Sequence, residues 1–425
     1  MRRRVRSAII LATGALGGCV LLVDTSALTG GAIATFEGGL DADATTATTD
    51  GPVDADASPG ADGGRRSVLL TGGLDHACAA IEGAVWCWGQ NSSGQLGDGT
   101  KLVARSPVAV SGLPGPVTAI GAGDYHTCAI VAGDVWCWGA ATGGALGTAA
   151  DVDSVAPAKV TGLPAPALEV RGGEQFTCVL ADNHRVYCWG YNGQGRLGDG
   201  SPTNHKAASA VVDANGIRSD FAKLSVSNDH ACAITTSGDP FCWGHSDNGA
   251  LGNAAAGGES SRAVPVEGLP GKAQSVTIGG WHACALVDGG AFCWGTGTAG
   301  ELGNGGTTHS IAPVPVIGHG TGVDLLAAGG GPSDGDTTCA SRAGTLSCWG
   351  VGKYGRLGDG QTASRATPAD VSLPGAVTAI AGGGNHLCAA IATGEVFCWG
   401  RGNVGQIGDG AGIDRLVPTR VNLPL

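Results

Sequence analysis

An all-β fold built from seven four-stranded units is what this sequence predicts, on three observations. A segment of the type "HACAAIEGAVWCWG" (residues 76–89) recurs seven times, its closing tryptophans at Trp88, Trp138, Trp189, Trp243, Trp294, Trp349 and Trp399, in steps of 50 to 55 residues. Short β-branched runs punctuated by Gly, Pro, Asn and Asp fill each unit, and no sustained helical periodicity interrupts them. The 78 glycines among 425 residues recur at fixed offsets, as turns that need positive φ do, instead of being scattered as in a disordered chain. A period near fifty residues belongs to a solenoid, a propeller or an array, in which one supersecondary unit buries its faces only against its neighbours.

In chain order, a unit brings a strand such as "VTAIGAG" (117–123), then a hairpin that carries two cysteines, whose spacing follows from strand pairing. Between Cys78 and Cys87 a two-residue turn at Glu82-Gly83 pairs Ile81 with Ala84, Ala80 with Val85, Ala79 with Trp86, and Cys78 with Cys87. The fourth pair out from such a turn is non-hydrogen-bonded, where Cα atoms approach to about 4.5 Å, the short end of disulfide geometry. Cys128 and Cys137, Cys284 and Cys293, and Cys339 and Cys348 repeat this arrangement around Ala132-Gly133, Asp288-Gly289 and Ala343-Gly344. Cys178 and Cys188, Cys232 and Cys242, and Cys388 and Cys398 stand one residue further apart, and a three-residue turn supplies that residue without changing the pairing parity.

Fourteen of the fifteen cysteines are thus expected to form seven cross-strand bridges. The competing readings are buried free thiols and metal sites, the latter lacking matching clusters of His and Cys. Such bridges persist only in an oxidising compartment. After the Trp-Gly comes a glycine-rich turn such as "QNSSGQLGDG" (90–99), and the unit is completed by a strand of the "SPVAV" type (106–110).

The N-terminus agrees on compartment. Residues 1–18, "MRRRVRSAIILATGALGG", have a basic start and an apolar stretch too short to span a membrane, which reads as an export signal. "LGGC" from Leu16 resembles the lipobox of bacterial lipoproteins, and that resemblance implies cleavage before Cys19, the odd cysteine, and its lipidation. The alternative is cleavage after Ala34 and free secretion. Residues 19–64 have no basic residue and from about residue 25 are mostly Ala, Thr, Gly, Asp and Pro with few large apolar residues, a composition that reads as an acidic, disordered tether. Formal charge is −12 for the chain, −16 without the four arginines of the signal, and near −8 for the repeats once the eight acids from Asp24 to Asp62 are set aside. Nucleic acid and anionic lipid surfaces both need basic patches, so neither is an expected partner; membrane contact is expected only through the anchor.

"GAGDYHTCAIVAGDVWCWG" (121–139) and "WGYNGQGRLGDG" (189–200) resemble the repeat of the regulator of chromosome condensation family, over about residues 65–425. The resemblance implies a seven-bladed β-propeller with four strands per blade. This chain departs from the usual repeat by placing cysteine at both hairpin positions, which fits export. The first copy opens with "VLLTGG" (68–73) and the chain ends in "VPTRVNLPL" (417–425), so the C-terminal strand is expected to complete the first blade and close the ring.

Five copies place His two residues before the first cysteine, at His76, His126, His230, His282 and His386, where two others have Phe176 and Thr337. These histidines are expected to pack within their own blades and bond to backbone, and the tryptophans of Cys-Trp-Gly to pack between blades. Asp98, Asp199, Asp359 and Asp409 of "LGDG" are read as turn residues, because one carboxylate per turn is too sparse for calcium. No catalytic motif occurs in a convincing context, so no enzyme activity, cofactor or metal is expected.

Positions that differ between copies are the better candidates for specificity. Just before the first cysteines lie Asp75, Asp124 with Tyr125, Glu174 with Gln175 and Phe176, Asn228 with Asp229, Trp281, Asp336 and Asn385, in turns that open on one face of a propeller. Aromatic anchors at Tyr125, Phe176 and Trp281 among acids suit a protein hot spot. The longer loop "AGGGPSDGDTT" (328–338) is placed to cover part of that face. The expectation is an exported, monomeric, lipid-anchored module of the cell envelope that binds a protein. The family resemblance also implies nucleotide exchange on a small GTPase or inhibition of an enzyme, and a loop-built carbohydrate binder or enzyme completes the alternatives.

Overall fold

The computed structural model describes residues 67–148, 150, 152–331 and 334–424. The expected signal (1–18), Cys19 and the tether (19–64) lie outside the described residues. Seven four-stranded antiparallel sheets follow one another along the chain, each a meander in sequence order, with one two-stranded hairpin between the third and fourth. The innermost strands, Val68–Gly72, Ala119–Ala122, Ala167–Gly172, Phe221–Val226, Ala273–Ile278, Val323–Gly331 and Val377–Gly382, pack side by side in a closed circle. This is a seven-bladed propeller.

The C-terminal strand corrects one expectation. Arg415–Arg420 pairs with Val396–Gly400, Phe397 opposite Arg420 and Cys398 opposite Thr419, and so is the outer strand of the seventh blade, not a member of the first. The reason is the phase of the repeat. The proline-bearing strand pairs with the Cys-Trp-Gly strand that precedes it, Trp86 with Ala109 and Cys87 with Val108, so a unit starts at "VLLTGG" and ends at "VPTR". Both terminal blades are complete, and the ring closes by packing and inter-blade hydrogen bonds, with no strand exchanged. Six of the seven outer strands carry proline, which removes ladder donors from the exposed edge and blunts its capacity to template another chain.

Two devices hold neighbouring blades together. Where inner strands meet, backbone touches backbone: a Cβ on Gly121 would stand 2.2 Å from the Val170 carbonyl oxygen, and one on Gly172 2.3 Å from the Gly123 nitrogen. Further out, each tryptophan indole donates across the interface to a backbone carbonyl in the glycine-rich turn of the blade before it. Trp138 bonds to Gln95 at 2.9 Å, Trp243 to Arg196 at 3.0 Å and, at the seam, Trp88 to Gln406 at 2.8 Å. All seven indoles are fully buried, and the seam core of Val68, Ala79 and Trp88 against Ala390 and Ile407 resembles the other interfaces. A seamless ring therefore needs no exchanged strand.

Each expected cysteine pair is bonded, with Cα atoms 4.0 to 4.1 Å apart. Glu82 and Gly83 have φ of 51° and 82°, the left-handed pair that a two-residue hairpin turn requires. In the longer hairpins Thr235 donates to the Asp239 carbonyl, with Gly238 at φ 83° closing the three-residue loop. Non-reducing peptide mapping is expected to recover all seven pairs, and replacing Cys78 and Cys87 with Ser to lower unfolding stability by about 2 to 3 kcal/mol. Free thiols at most positions in the native protein would refute the bridges.

Candidate binding rim around the propeller axis

The variable turns do gather at one end of the axis, and they are tied to one another. The Leu74 nitrogen donates to the Asp124 carbonyl, Asp124 to Gly173, Glu174 to Asn228, and Gly384 to Gly73. Convergence on a narrow axis buries most of what the sequence places in solvated turns. Asp124, Asp229, Asp336 and Asn385 are buried, Asp75 and Glu174 half-buried. Tyr125 is 39% exposed and Trp281 half-buried, so both reach solvent.

Phe176 is corrected: it is wholly buried at the start of a second strand, in the place histidine takes in other blades. Its ring lies over Gly173 and packs with Leu180, Leu197 and Phe221, so it belongs to the interface between the third and fourth blades.

The histidines are also corrected, because their partners lie in the next blade and are side chains. The Nε2 atoms of His76, His126 and His282 meet the hydroxyls of Thr127, Thr177 and Thr338 at 2.8, 2.8 and 2.6 Å. At His230 and His386 the equivalent neighbouring positions are Ala283 and Ala77, and neither Nε2 has a partner among the described residues. Burial holds His76 and His230 down to about 3 and His126 and His386 down to about 4, so all four are neutral at physiological pH.

The polar network of the rim comes from residues that the pattern search passed over. They stand just before the Leu-Gly or Ile-Gly of each glycine-rich turn. Arg196 pairs with Glu174 at 3.0 Å and with Asp229. Arg356 is buried and donates to the carbonyls of Gly335, Gly384 and Asp334, and Gln406 donates to Asp75 at 2.8 Å. The signal was present in the sequence, since Gln95, Arg196, Glu301, Arg356 and Gln406 differ while their neighbours repeat. Burial pushes the Asp229 carboxyl up against the pull of Arg196. His245 stacks edge-on against Trp281 at 5.2 Å and meets Asp247 at 3.1 Å. Asp336 accepts from the Trp281 nitrogen at 2.7 Å and bonds His282 at 3.0 Å.

The loop at 328–338 extends the inner hairpin of the sixth blade, Gly331 opposite Gly335, and pairs Asp334 with Lys353. The "LGDG" aspartates act locally: Asp98 accepts from the Thr100 nitrogen, Asp199 from Ser201, Asp359 from Gln361 and Asp409 from Ala411, each at 2.9 Å. A cleft of about 500 Å³ beside Asp247, Asn253 and His309 lies out between the fourth and fifth blades and contains none of the axial acids. Among the described residues, no three His, Cys, Asp or Glu side chains gather as metal ligands do.

This architecture defines a disulfide-stapled propeller with a charged, aromatic-edged rim. The chain belongs to the Regulator of chromosome condensation (RCC1) repeat family, whose repeat matches residues 82–130, 132–180, 237–286, 343–390 and 393–425, a second form of it matching 169–196, 221–250 and 377–406. Among relatives, the ultraviolet-B receptor UVR8 of Arabidopsis thaliana is 28% identical over 78% of this chain and 64% of its own length. The human E3 ubiquitin-protein ligase HERC2 is 30% identical over 43% of this chain. The chain spans less than two thirds of these relatives, and only 4% of HERC2. In fold it is similar to Prp20p from Saccharomyces cerevisiae, with TM-score 0.70 and 21% identity over 83% of this chain and 87% of that one. Human WBSCR16 matches with TM-score 0.69 and 22% identity over 80% and 94%.

Proposed function

We propose that the chain is an exported protein-binding module without catalysis of its own, monomeric, held at a bacterial envelope by lipid on Cys19, and that its partner docks on the axial rim. The observation that carries this reading is the rim itself, where Tyr125 and Trp281 reach solvent among carboxylates on a scaffold cross-linked by seven disulfides. Rigid aromatic anchors give much contact area for little entropy. The bridges speak for an oxidising compartment. Among fold neighbours, yeast RCC1 (Prp20) is bound to Kap60, and Prp20p has binding properties to Gsp1p and histones, so proteins that contain this fold do bind other proteins.

Capture from solubilised envelope tests the reading. Tyr125→Ala with Trp281→Ala is expected to weaken retention of the captured partner at least tenfold, while the unfolding midpoint stays within a few degrees. Cys19→Ser is expected to release the protein from the membrane fraction without altering capture. Undiminished capture by the double variant would overturn the rim assignment, and unchanged membrane association of Cys19→Ser would overturn the anchor.

A further inference from the structure

The places around the axis are filled unequally. Arg196 reaches Glu174 in its own blade and Asp229 in the next. One blade earlier Asp124 stands where Glu174 does, and Ala145 stands where Arg196 does. Asp124 is 7% exposed, and no group among the described residues bonds to its Oδ2. Asp124 lines an axial cavity of about 70 Å³, which is not sealed, together with Gly123, Ser227, Asn228, Gly330 and Gly384. Another buried acceptor without a partner lies near it, Asp336 Oδ1, which a Cβ on Gly330 would meet at 1.8 Å; a Cβ on Gly280 would meet it at 2.8 Å and the unpartnered donor Asn228 Nδ2 at 3.5 Å.

The local potential is negative and incompletely balanced. Burial, with Glu174 and Asp229 adding to it, pushes Asp124 up to about 7 although Arg196 pulls the other way. A metal ion suits this arrangement poorly, since the acceptors come from different blades and do not gather into a coordination shell. A guanidinium suits it well. It is planar, carries five N–H donors on a fork, and loses hydration more readily than an ammonium. The chain itself uses that group beside Glu174.

We propose that Asp124, at the axial cavity, receives a guanidinium from outside the chain, presented as an arginine side chain by the protein that binds the rim. The inference rests on the binding-module reading and specifies the chemistry of the partner. Such a pair, shielded from water on one side, contributes through charge-assisted, fork-matched hydrogen bonds.

Calorimetric titration of the full chain at pH 8 and low salt, with a capped Gly-Arg-Gly peptide, tests the site. Saturable binding is expected, at least tenfold tighter than for the peptide with neutral, near-isosteric citrulline. Asp124→Asn is expected to abolish it. Ala145→Arg is expected to occupy the place internally, as Arg196 does one blade on, raising the thermal midpoint and removing peptide binding. Equal binding of the citrulline peptide, undiminished binding in Asp124→Asn, or displacement of the peptide by calcium chloride would overturn the site. Free L-arginine binding as tightly as the peptide would overturn the assignment to a partner side chain in favour of a small cationic ligand. Failure of the arginine peptide with partner capture intact defeats this inference alone, since capture is read on the Tyr125 and Trp281 variants.

Discussion

Lowering the pH from 7.5 to 5 is expected to destabilise the propeller by several kcal/mol, through the ring of buried histidines. The folded state holds His76 and His230 near 3 and His126 and His386 near 4, against an ordinary value of 6.5. A depressed histidine means that the unfolded chain binds more protons between these values, so stability is fully present above 6.5 and falls with pH toward the folded values. At pH 5 each histidine forfeits about 2 kcal/mol. Asp124 works in the opposite sense. Its value is raised to about 7 in the fold, so it costs stability above its unfolded value of 3.8, and its protonation between pH 7 and 4 recovers part of the loss. Asp229, also pushed up by burial, acts in the same sense as Asp124, and the four histidines outweigh the two carboxyls. Denaturant unfolding at a series of pH values checks the result, and a midpoint flat from pH 7.5 to 5 would refute it. The chain supplies its own control, because Phe176 faces a blade with Ala231 where His126 faces Thr177. His126→Phe with Thr177→Ala should remove about one histidine's share of the slope.

Replacing Gly121 with Ala is expected to cost about 3 kcal/mol or more and to loosen the ring between the second and third blades. The added Cβ would meet the Val170 carbonyl oxygen at 2.2 Å, and backbone on both sides has no rotamer with which to yield. Gly258→Ala is the matched control, since nothing lies within 4 Å of its Cβ position and its φ is ordinary. Its stability should stay within about 0.5 kcal/mol of the parent. Equal unfolding midpoints for the two variants would show that inner-strand contact does not limit this fold.

Local pairing made much of the molecule legible in advance. Nine- and ten-residue cysteine spacings around two- and three-residue turns allow one register, and that register is present in all seven hairpins. Seven copies likewise fix seven blades, since a unit buries its faces only against its neighbours. The phase of the repeat was not legible. A strand that pairs backward and one that pairs forward look alike when only the pattern is seen, and the misplacement of the final strand followed from that ambiguity.

The candidate rim shows the same division. Variation between copies marked Asp75, Asp124, Tyr125, Glu174, Asp229, Trp281, Asp336 and Asn385 as a set, because a scaffold constrains what it repeats and frees what it does not. Whether each side chain meets solvent, a neighbouring blade or the axis depends on the angle at which blades converge, which no single repeat contains. Phe176 therefore falls inside an interface, the histidines find hydroxyls fifty residues away, and Arg196 and Arg356 enter the rim from turns distant in sequence. Sequence alone determined the bridges, the number of units and the excess of acid. Only the closed ring decided which acids are paired and which, at Asp124, is left without a partner, because burial and charge compensation are set by seven chain segments meeting on one axis.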